Sequence, residues 1–323
     1  MSYIDLINNL LTPKITEETV VLDLFSGCGG LSLGFEAAGF KTVGFEMNPD
    51  AAITYKNNLK GDCVVEKLTL NSLYPDAQII IGGPPCQPFS VGGNQNGIND
   101  SRNGFPIFVD AIRKVKPKVF LFENVRGLLY SNKWYLELII EELESLGYQT
   151  DCKLLNAVNY GVPQNRERFF LVGHNSEFHF PEPEIQKVTV GDAIFDLMGT
   201  SPVESKFLTP AQDVYIAKYE KASKCINPRD LYFDKPSRTL TCRNLSGATG
   251  DMQRVKLPDG RRRRLLVKEA ARLQSFPDNF VFTGAETSQF YQIGNAVPPL
   301  LAYKIAQAVK ECFYKEKLSQ AAA

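Results

Sequence analysis

One cysteine stands out by the backbone around it. In IIIGGPPCQPFSVGG (79–93) a strand-like apolar run ends in two glycines and two prolines, Cys86 follows, and another proline comes at position 88. A thiol used as a nucleophile must be held in one attack geometry, and proline rings fix the flanking φ angles near about −65°. It must also ionise. At a free pKa of about 8.5 only a few per cent is thiolate at neutral pH, a cost of roughly 2 kcal/mol that nearby cations lower. QNRER (164–168) offers Arg166 and Arg168 just before a strand, and FENV (122–125) places Glu123 at the end of another. A carboxyl group in a confined site can be raised toward a neutral pKa and give up a proton there. Taken singly, Glu123 reads equally as a surface ion pair and the arginines as a solvated strand edge. Cys86 does not, because no core role explains so much restraint on a loop.

These residues need a frame that brings them together. TVVLDLF (19–25), KTVGFEMN (41–48), AQIII (77–81) and KPKVFLFEN (116–124) read as strands, as do QTDCKLLNA (149–157) and RERFFLVGH (166–174). LSLGFEAAGF, PDAAITYKNNL, FPIFVDAIRKV and WYLELIIEELESLGY lie between them with helical spacing of apolar residues. Strand–helix repeats with continuous apolar strands predict an α/β protein built on a doubly wound, mostly parallel sheet. In such sheets ligands bind beyond the carboxyl ends of the strands, near the point where strand order reverses. FSGCGG, FEMN, GGPPCQ and FENV all fall just past strand ends and are expected on one rim. From about position 185 to 265 the rhythm fails, and proline-rich, polar sequence predicts a second, smaller irregular domain. RRLLVKEAARLQSFP resumes helical spacing, and PPLLAYKIAQAVKECF (298–313) reads as a last helix. The resulting division is 1–195 with 288–323 as the main domain and 196–287 as the second.

FSGCGG puts backbone amides and a helix N-terminus around a ligand. It departs from the dinucleotide fingerprint, since Gly27 and Gly29 fit but Ser32 stands where a glycine belongs. With Glu46 closing the second strand, the turn suits a nucleoside whose ribose hydroxyls the carboxylate accepts; a merely tight strand–helix turn is the alternative. Asp62, in KGDC, is positioned to accept from an adenine amine.

The bulk numbers exclude several classes. Seven cysteines, at 28, 63, 86, 152, 225, 242 and 312, are scattered without a C-x-x-C pair, so neither a disulfide framework nor a metal site is expected. No apolar run reaches membrane-spanning length, and the N-terminal residues lack the features of a secretory signal. The 36 basic and 36 acidic residues cancel. The cancellation hides an asymmetry: residues 200–287 hold 16 basic and 10 acidic side chains, a surplus of six positive charges that the remainder balances.

Nearly end to end, and in family order, the motifs resemble those of bacterial C5-cytosine DNA methyltransferases of the restriction–modification type. FSGCGG resembles the loop for S-adenosyl-L-methionine, GGPPCQPFS the nucleophile loop and FENV the glutamate that meets cytosine. QNRER resembles the arginine motif, RRLLVKEAARLQSFPDNF the helix next to target recognition, and QIGNAVPP the closing motif at the cofactor. The resemblance implies a Rossmann-like methyltransferase fold, with 196–287 as target-recognition domain and hinge. It implies that Cys86 attacks cytosine C6, that Glu123 hydrogen-bonds or protonates N3, that Arg168 holds O2 and that Arg166 supports the thiolate. Cofactor contacts fall on Phe25, Ser26, Gly27, Gly29, Gly30 and Leu31 of the turn. Glu46, Met47, Asp62 and Pro84 follow, with Asn295 and Ala296 of the closing motif. Many relatives continue from the nucleophile loop as R-G-x-L-F. Here the segment is RNGFPIF, two residues longer, and the apolar contact falls on Ile107. DNA contacts are implied for Gln87, Ser90, Gly92 and Gln164, and for Thr239, Arg243 and Asn244.

A target cytosine is unreachable inside a duplex and has to be flipped out. The glycine- and asparagine-rich segment 90–104 is expected to close over it, or else is a plain connection. PDGRRRR (258–264) reads either as a phosphate contact or as a solvated turn. The implied partner is double-stranded DNA, with a restriction endonuclease as functional counterpart but no stable complex. The implied state is a cytoplasmic, nucleoid-associated monomer with no membrane contact. Three rivals remain at this stage. One is methylation of RNA, another a cysteine hydrolase using Cys86 and His174, and the last a non-catalytic DNA binder that keeps the fold.

Overall fold

Valine, isoleucine and phenylalanine crowd the strand segments, as a sheet buried on both faces requires. The computed structural model describes residues 1–85, 103–130, 132–222, 224, 229–247 and 250–321, and these runs form one seven-stranded sheet. In chain order, α1 is Tyr3–Leu10, β1 Val20–Leu24, α2 Gly30–Ala37, β2 Lys41–Glu46, α3 Pro49–Asn58, β3 Asp62–Val65 and β4 Ile79–Gly82. Next come α4 Phe105–Val115, β5 Val119–Val125, α5 Gly127–Tyr130, α6 Lys133–Ser145, β6 Gln149–Asn156, β7 Gln164–Asn165 and β8 Glu167–His174. The remainder is α7 Val190–Met198, α8 Pro210–Ala222, β9 Ser237–Arg238, α9 Cys242–Ser246, β10 Arg254–Lys256 and β11 Arg262–Arg264, then α10 Val267–Leu273, α11 Glu286–Asn295 and α12 Pro299–Ala321.

The sheet order is β3-β2-β1-β4-β5-β8-β6. From β1 the chain winds outward to β3, then returns to pair β4 on the other side of β1. Strand order therefore reverses between β1 and β4. Pairs from β3 to β5 are all parallel, so the carboxyl ends of β1, β2, β4 and β5 share one rim. β8 is antiparallel to both neighbours, and its register sets Arg168 opposite Val125. A strand that starts where its neighbour ends delivers Arg168 to the rim that Glu123 occupies.

One face of the sheet is covered by α1, α2 and α12, with Phe35, Leu301 and Ile305 in the interface; the other is covered by α4 and α6 through Phe108, Ile112 and Ile139. A third apolar cluster joins Tyr55 of α3 and Leu59 just after it to Leu231, Leu240, Val255 and Leu273. The apolar residues of 196–287 thus share a core with α2 and α3, where the sequence suggests a separate unit. β7 and β9 pair across the same junction. The helical spacing read from the arginine run onward begins only at Val267, because Arg262–Arg264 pair with Arg254–Lys256 as a hairpin.

Candidate active site

The turn after β1 is set by backbone that most side chains resist. Phe25, Gly27 and Gly29 have φ of 61°, 55° and 86°. Left-handed backbone costs a β-carbon about 1 kcal/mol or more, and its appearance at Phe25 marks strain held at the rim. A β-carbon at Gly29 would lie 2.3 Å from Leu59, whereas one at Gly27 would meet nothing within 4 Å. Gly27 faces open space at the switch point. Its amide donates to Glu46 Oε2 at 2.9 Å, and the Asn48 amide donates to Oε1 at 2.7 Å. Each carboxylate oxygen keeps a lone pair for a hydroxyl group. Ser26 is buried and its amide donates to Phe45 O, tying the turn to β2.

Beyond β4 and β5 lies a second group. Arg168 Nε sits 2.7 Å from Glu123 Oε1, with both side chains nearly enclosed. A β-carbon at Gly83 would come within 3.4 Å of Oε2, so that oxygen faces the start of the GGPPCQPFS segment. Burial pushes the Glu123 carboxyl above its ordinary range, against the opposing pull of Arg168 and Arg166. Asn124 Nδ2 donates to Pro84 O at 2.9 Å and fastens the loop to β5. Gly104 N donates to Pro85 O at 3.0 Å, which joins the two sides of the loop's base. Cys86 itself, with Gln87, Ser90 and Gly92, lies outside the described residues.

Arg166 is wholly buried. Its guanidinium donates to the carbonyls of Leu240 at 2.7 Å and of Gly294 and Ala296 at 2.9 Å. It therefore braces the closing motif against the 240 region, two positions before the arginine that makes the ion pair with Glu123. The Ala296 carbonyl also accepts from Gln274 Nε2, and a β-carbon at Gly30 would stand 2.6 Å from Val297 O. Leu31 is buried, and Phe25 and Ile107 flank the same apolar cluster. Met47 and Asn295 are exposed near the rim. Asp62 opens β3 beside Val43, three positions before the level of Glu46, and pairs with Lys56 at 3.1 Å. The structure does not bring it to the rim.

Sequence reasoning missed Asn124 and Gln274. Both are amides whose partners are main-chain carbonyls, which no residue pattern reveals. The same physics displaces two predicted DNA contacts. Gln164 is fully buried, donating to Leu273 O and accepting from Leu240 N at 2.9 Å. Asn244 is buried as the reciprocal partner of Thr241 at the start of α9 and donates to Thr239 O at 2.8 Å. Their amides hold the segment together and are not presented to a base. Thr239 donates to Asn165 O at 2.6 Å, while Arg243 is exposed and has no ionic partner among the described residues.

Three of the four arginines of PDGRRRR, read as a phosphate contact or a solvated turn, face carboxylates. Arg261 pairs with Asp259 and lies 4.4 Å over Phe207. Arg262 pairs with Asp213 and Asp230, and Arg263 is completely buried against Glu269 at 2.7 Å. Strand alternation turns Arg263 inward between them. His174 ends β8, six residues beyond Arg168 and about 20 Å from it at strand spacing. It bonds Asp151 at 2.8 Å. His174 is thus remote from the Glu123–Arg168 pair, and the Cys86 half of the hydrolase arrangement lies outside the described residues.

Residues 19–311 match the family model for C-5 cytosine-specific DNA methylase. The type II methyltransferase M.AplI of Arthrospira platensis is 60% identical over 303 residues, 93% of this chain and 88% of that protein. M1.HphI of Haemophilus parahaemolyticus is 38% identical, over 89% and 86% of the respective chains. Among solved structures, that of S. pombe Dnmt2 methyltransferase covers 91% of this chain and 98% of its own with a TM-score of 0.70, at 18% identity. It shares the fold. The chain belongs to the C-5 cytosine-specific DNA methylases and is a DNA (cytosine-5-)-methyltransferase of type II restriction–modification systems.

Proposed function

We propose that the rim binds S-adenosyl-L-methionine beside β1 and β2 and a cytosine swung out of duplex DNA beside β4 and β5, and that Cys86 attacks cytosine C6. The observation that carries this reading is the Glu123–Arg168 pair facing a loop anchored at Pro84, two residues before Cys86 in the chain. For the cofactor, the open side of Gly27 and the amide-held carboxylate of Glu46 fit a ribose and its linkage. Phe25 and Ile107 offer apolar edges for the base. When bound, the cofactor supplies an electrophilic methyl group.

The protein's own residues do the rest. Arg168 orients the Glu123 carboxyl and donates to the cytosine O2. Glu123 Oε2 bonds or protonates N3, which draws electron density from C6 as the Cys86 thiolate adds there. The addition makes C5 electron-rich and the methyl group is taken up at that carbon. With the spent donor released as S-adenosylhomocysteine, transfer of the C5 proton to water and expulsion of the Cys86 sulfur as thiolate then restore the ring. Arg166 acts at one remove, holding the closing motif and the 240 region in place. The exposed Arg243 is the strongest remaining candidate for DNA contact. The enzyme acts as a monomer on DNA in the cytoplasm, and a cognate endonuclease that cuts the unmethylated sequence is its functional counterpart.

The test uses duplex DNA carrying 5-fluorocytosine with S-adenosyl-L-methionine. The wild-type protein forms a complex that survives denaturant, and Cys86→Ser forms none. Failure of the wild type to be trapped overturns the covalent step. Labelled methyl groups entering transfer RNA but not duplex DNA would overturn the choice of polymer.

A further inference from the structure

Beneath the glycine turn runs a file of buried oxygens. Asp23 Oδ2 lies 2.7 Å from Ser32 Oγ, which lies 2.9 Å from the Tyr55 hydroxyl. The Tyr55 hydroxyl lies 2.6 Å from Thr42 Oγ1, which lies 2.6 Å from Glu36 Oε1. All five side chains are at most 1% exposed. They come from β1, α2, α3 and β2, the elements that frame the turn. Gly29 and Gly44 make room for the phenol ring, since β-carbons there would lie 2.8 and 2.7 Å from it.

Four contacts of hydrogen-bond length need four hydrogens, and three hydroxyl groups supply three. Counting from the Glu36 end locates the fourth. Burial raises the Glu36 carboxyl too, but against that it accepts from the amides of Lys60 and Gly61, both at 2.8 Å, with the Lys60 charge beside it, and on those two amide bonds we infer that it is the anionic terminus. Thr42 must then donate to Glu36, Tyr55 to Thr42 and Ser32 to Tyr55. The contact between Asp23 and Ser32 is left without a hydrogen unless Asp23 carries it. An unbridged oxygen pair in a buried site forfeits the full cost of an unmade hydrogen bond.

The surroundings agree. The titratable groups nearest Asp23 are Glu46 of β2, Cys63 of β3, Tyr55 of α3 and Cys28 of the turn, and none is a cation. On the other side β4 presents only Ile79–Gly82. Burial pushes the Asp23 carboxyl up to about 7.

We propose that Asp23 is held as a neutral acid at the head of a one-way chain of hydrogen bonds ending at Glu36, and that this chain positions the turn Phe25–Gly29 for the cofactor. The second half rests on the reading that the turn receives S-adenosyl-L-methionine; the first half does not. Asp23 is a positioning residue and touches no reacting atom.

Infrared spectra of the unliganded protein near neutral pH should show a protonated carboxyl band that Asp23→Asn removes. Tyr55→Phe should remove it as well with Asp23 still present, because the Ser32 hydrogen is then free to turn to the carboxylate. The folded-state pKa lies above the unfolded value of about 3.9. Stability conferred by Asp23 is therefore complete below that value and is lost as pH rises toward 7. Denaturation midpoints of Asp23→Asn should gain on the wild type across that window. Asp23→Ala should weaken S-adenosylhomocysteine binding by about tenfold, the equivalent of one buried hydrogen bond, with Asp23→Asn recovering most of it. A wild-type spectrum without the band, or equal losses in the two variants, overturns the proposal. Failure of the wild type itself to bind S-adenosylhomocysteine would overturn the cofactor reading while the spectroscopic result stood.

Discussion

Glu123 is subject to two opposed influences: burial favours its neutral form, and the guanidinium at 2.7 Å favours the anion. Burial is the larger, so the native protein binds that proton more tightly than the unfolded chain does. Stability from this group is present at low pH and falls as pH rises through its elevated pKa. Glu123→Gln should flatten the alkaline fall in stability and lower kcat about 10²-fold or more, as loss of a general acid does. Paired denaturation and rate profiles against pH check both. Glu123 and Arg168 were legible in the sequence because each stands at a strand end, and strand ends can be placed from apolar runs. Gln164 and Asn244 were not, because an amide that serves the main chain looks the same in sequence as one that meets a base.

At the scale of elements, the position of Arg168 depends on the pairing of β8 with β5. Strand faces alternate with every residue, so a slip of one would turn the guanidinium to the wrong face while leaving an apolar strand intact. Helices α2, α4 and α6 could be read in advance because their apolar residues recur at helical spacing against the sheet. α8 could not, since Ile216 is its one buried residue and leaves no stripe to recognise. The hairpin of β10 and β11 was hidden by its own charges. Arginines read as surface, yet Arg263 is buried in a two-pronged pair with Glu269. Arg263→Ala should cost about 3–5 kcal/mol, because it leaves an uncompensated buried carboxylate. Arg261→Ala should stay within about 0.5 kcal/mol. Urea denaturation separates the two.

For the whole molecule, several basic side chains of residues 200–287 are paired, but almost all of their partners lie in the same stretch, so the surplus of six positive charges stays on the remaining ones. Arg254, Arg262, Arg263 and Arg272 all face carboxylates. The arginines of the 261–264 run are therefore not where most of that surplus is available to phosphate. The slope of log affinity for duplex DNA against log salt should fall by about 1 in Arg243→Ala if that side chain meets a phosphate. It should be unchanged in Arg261→Ala. Affinities measured across a salt series with a fixed duplex decide between a phosphate contact and a base contact at Arg243, since a base contact leaves the slope as it was.

The bond from Gly104 to the carbonyl of Pro85 has an evolutionary corollary. Where the two stems of a loop are already tied, the entropy of bringing them together does not depend on what lies between, and lengthening such a loop costs little in any case. Insertions and deletions between the stems should thus be nearly silent for folding. The stretch between Pro85 and Gly104 can then vary in length among relatives while the sheet that carries both stems stays as it is.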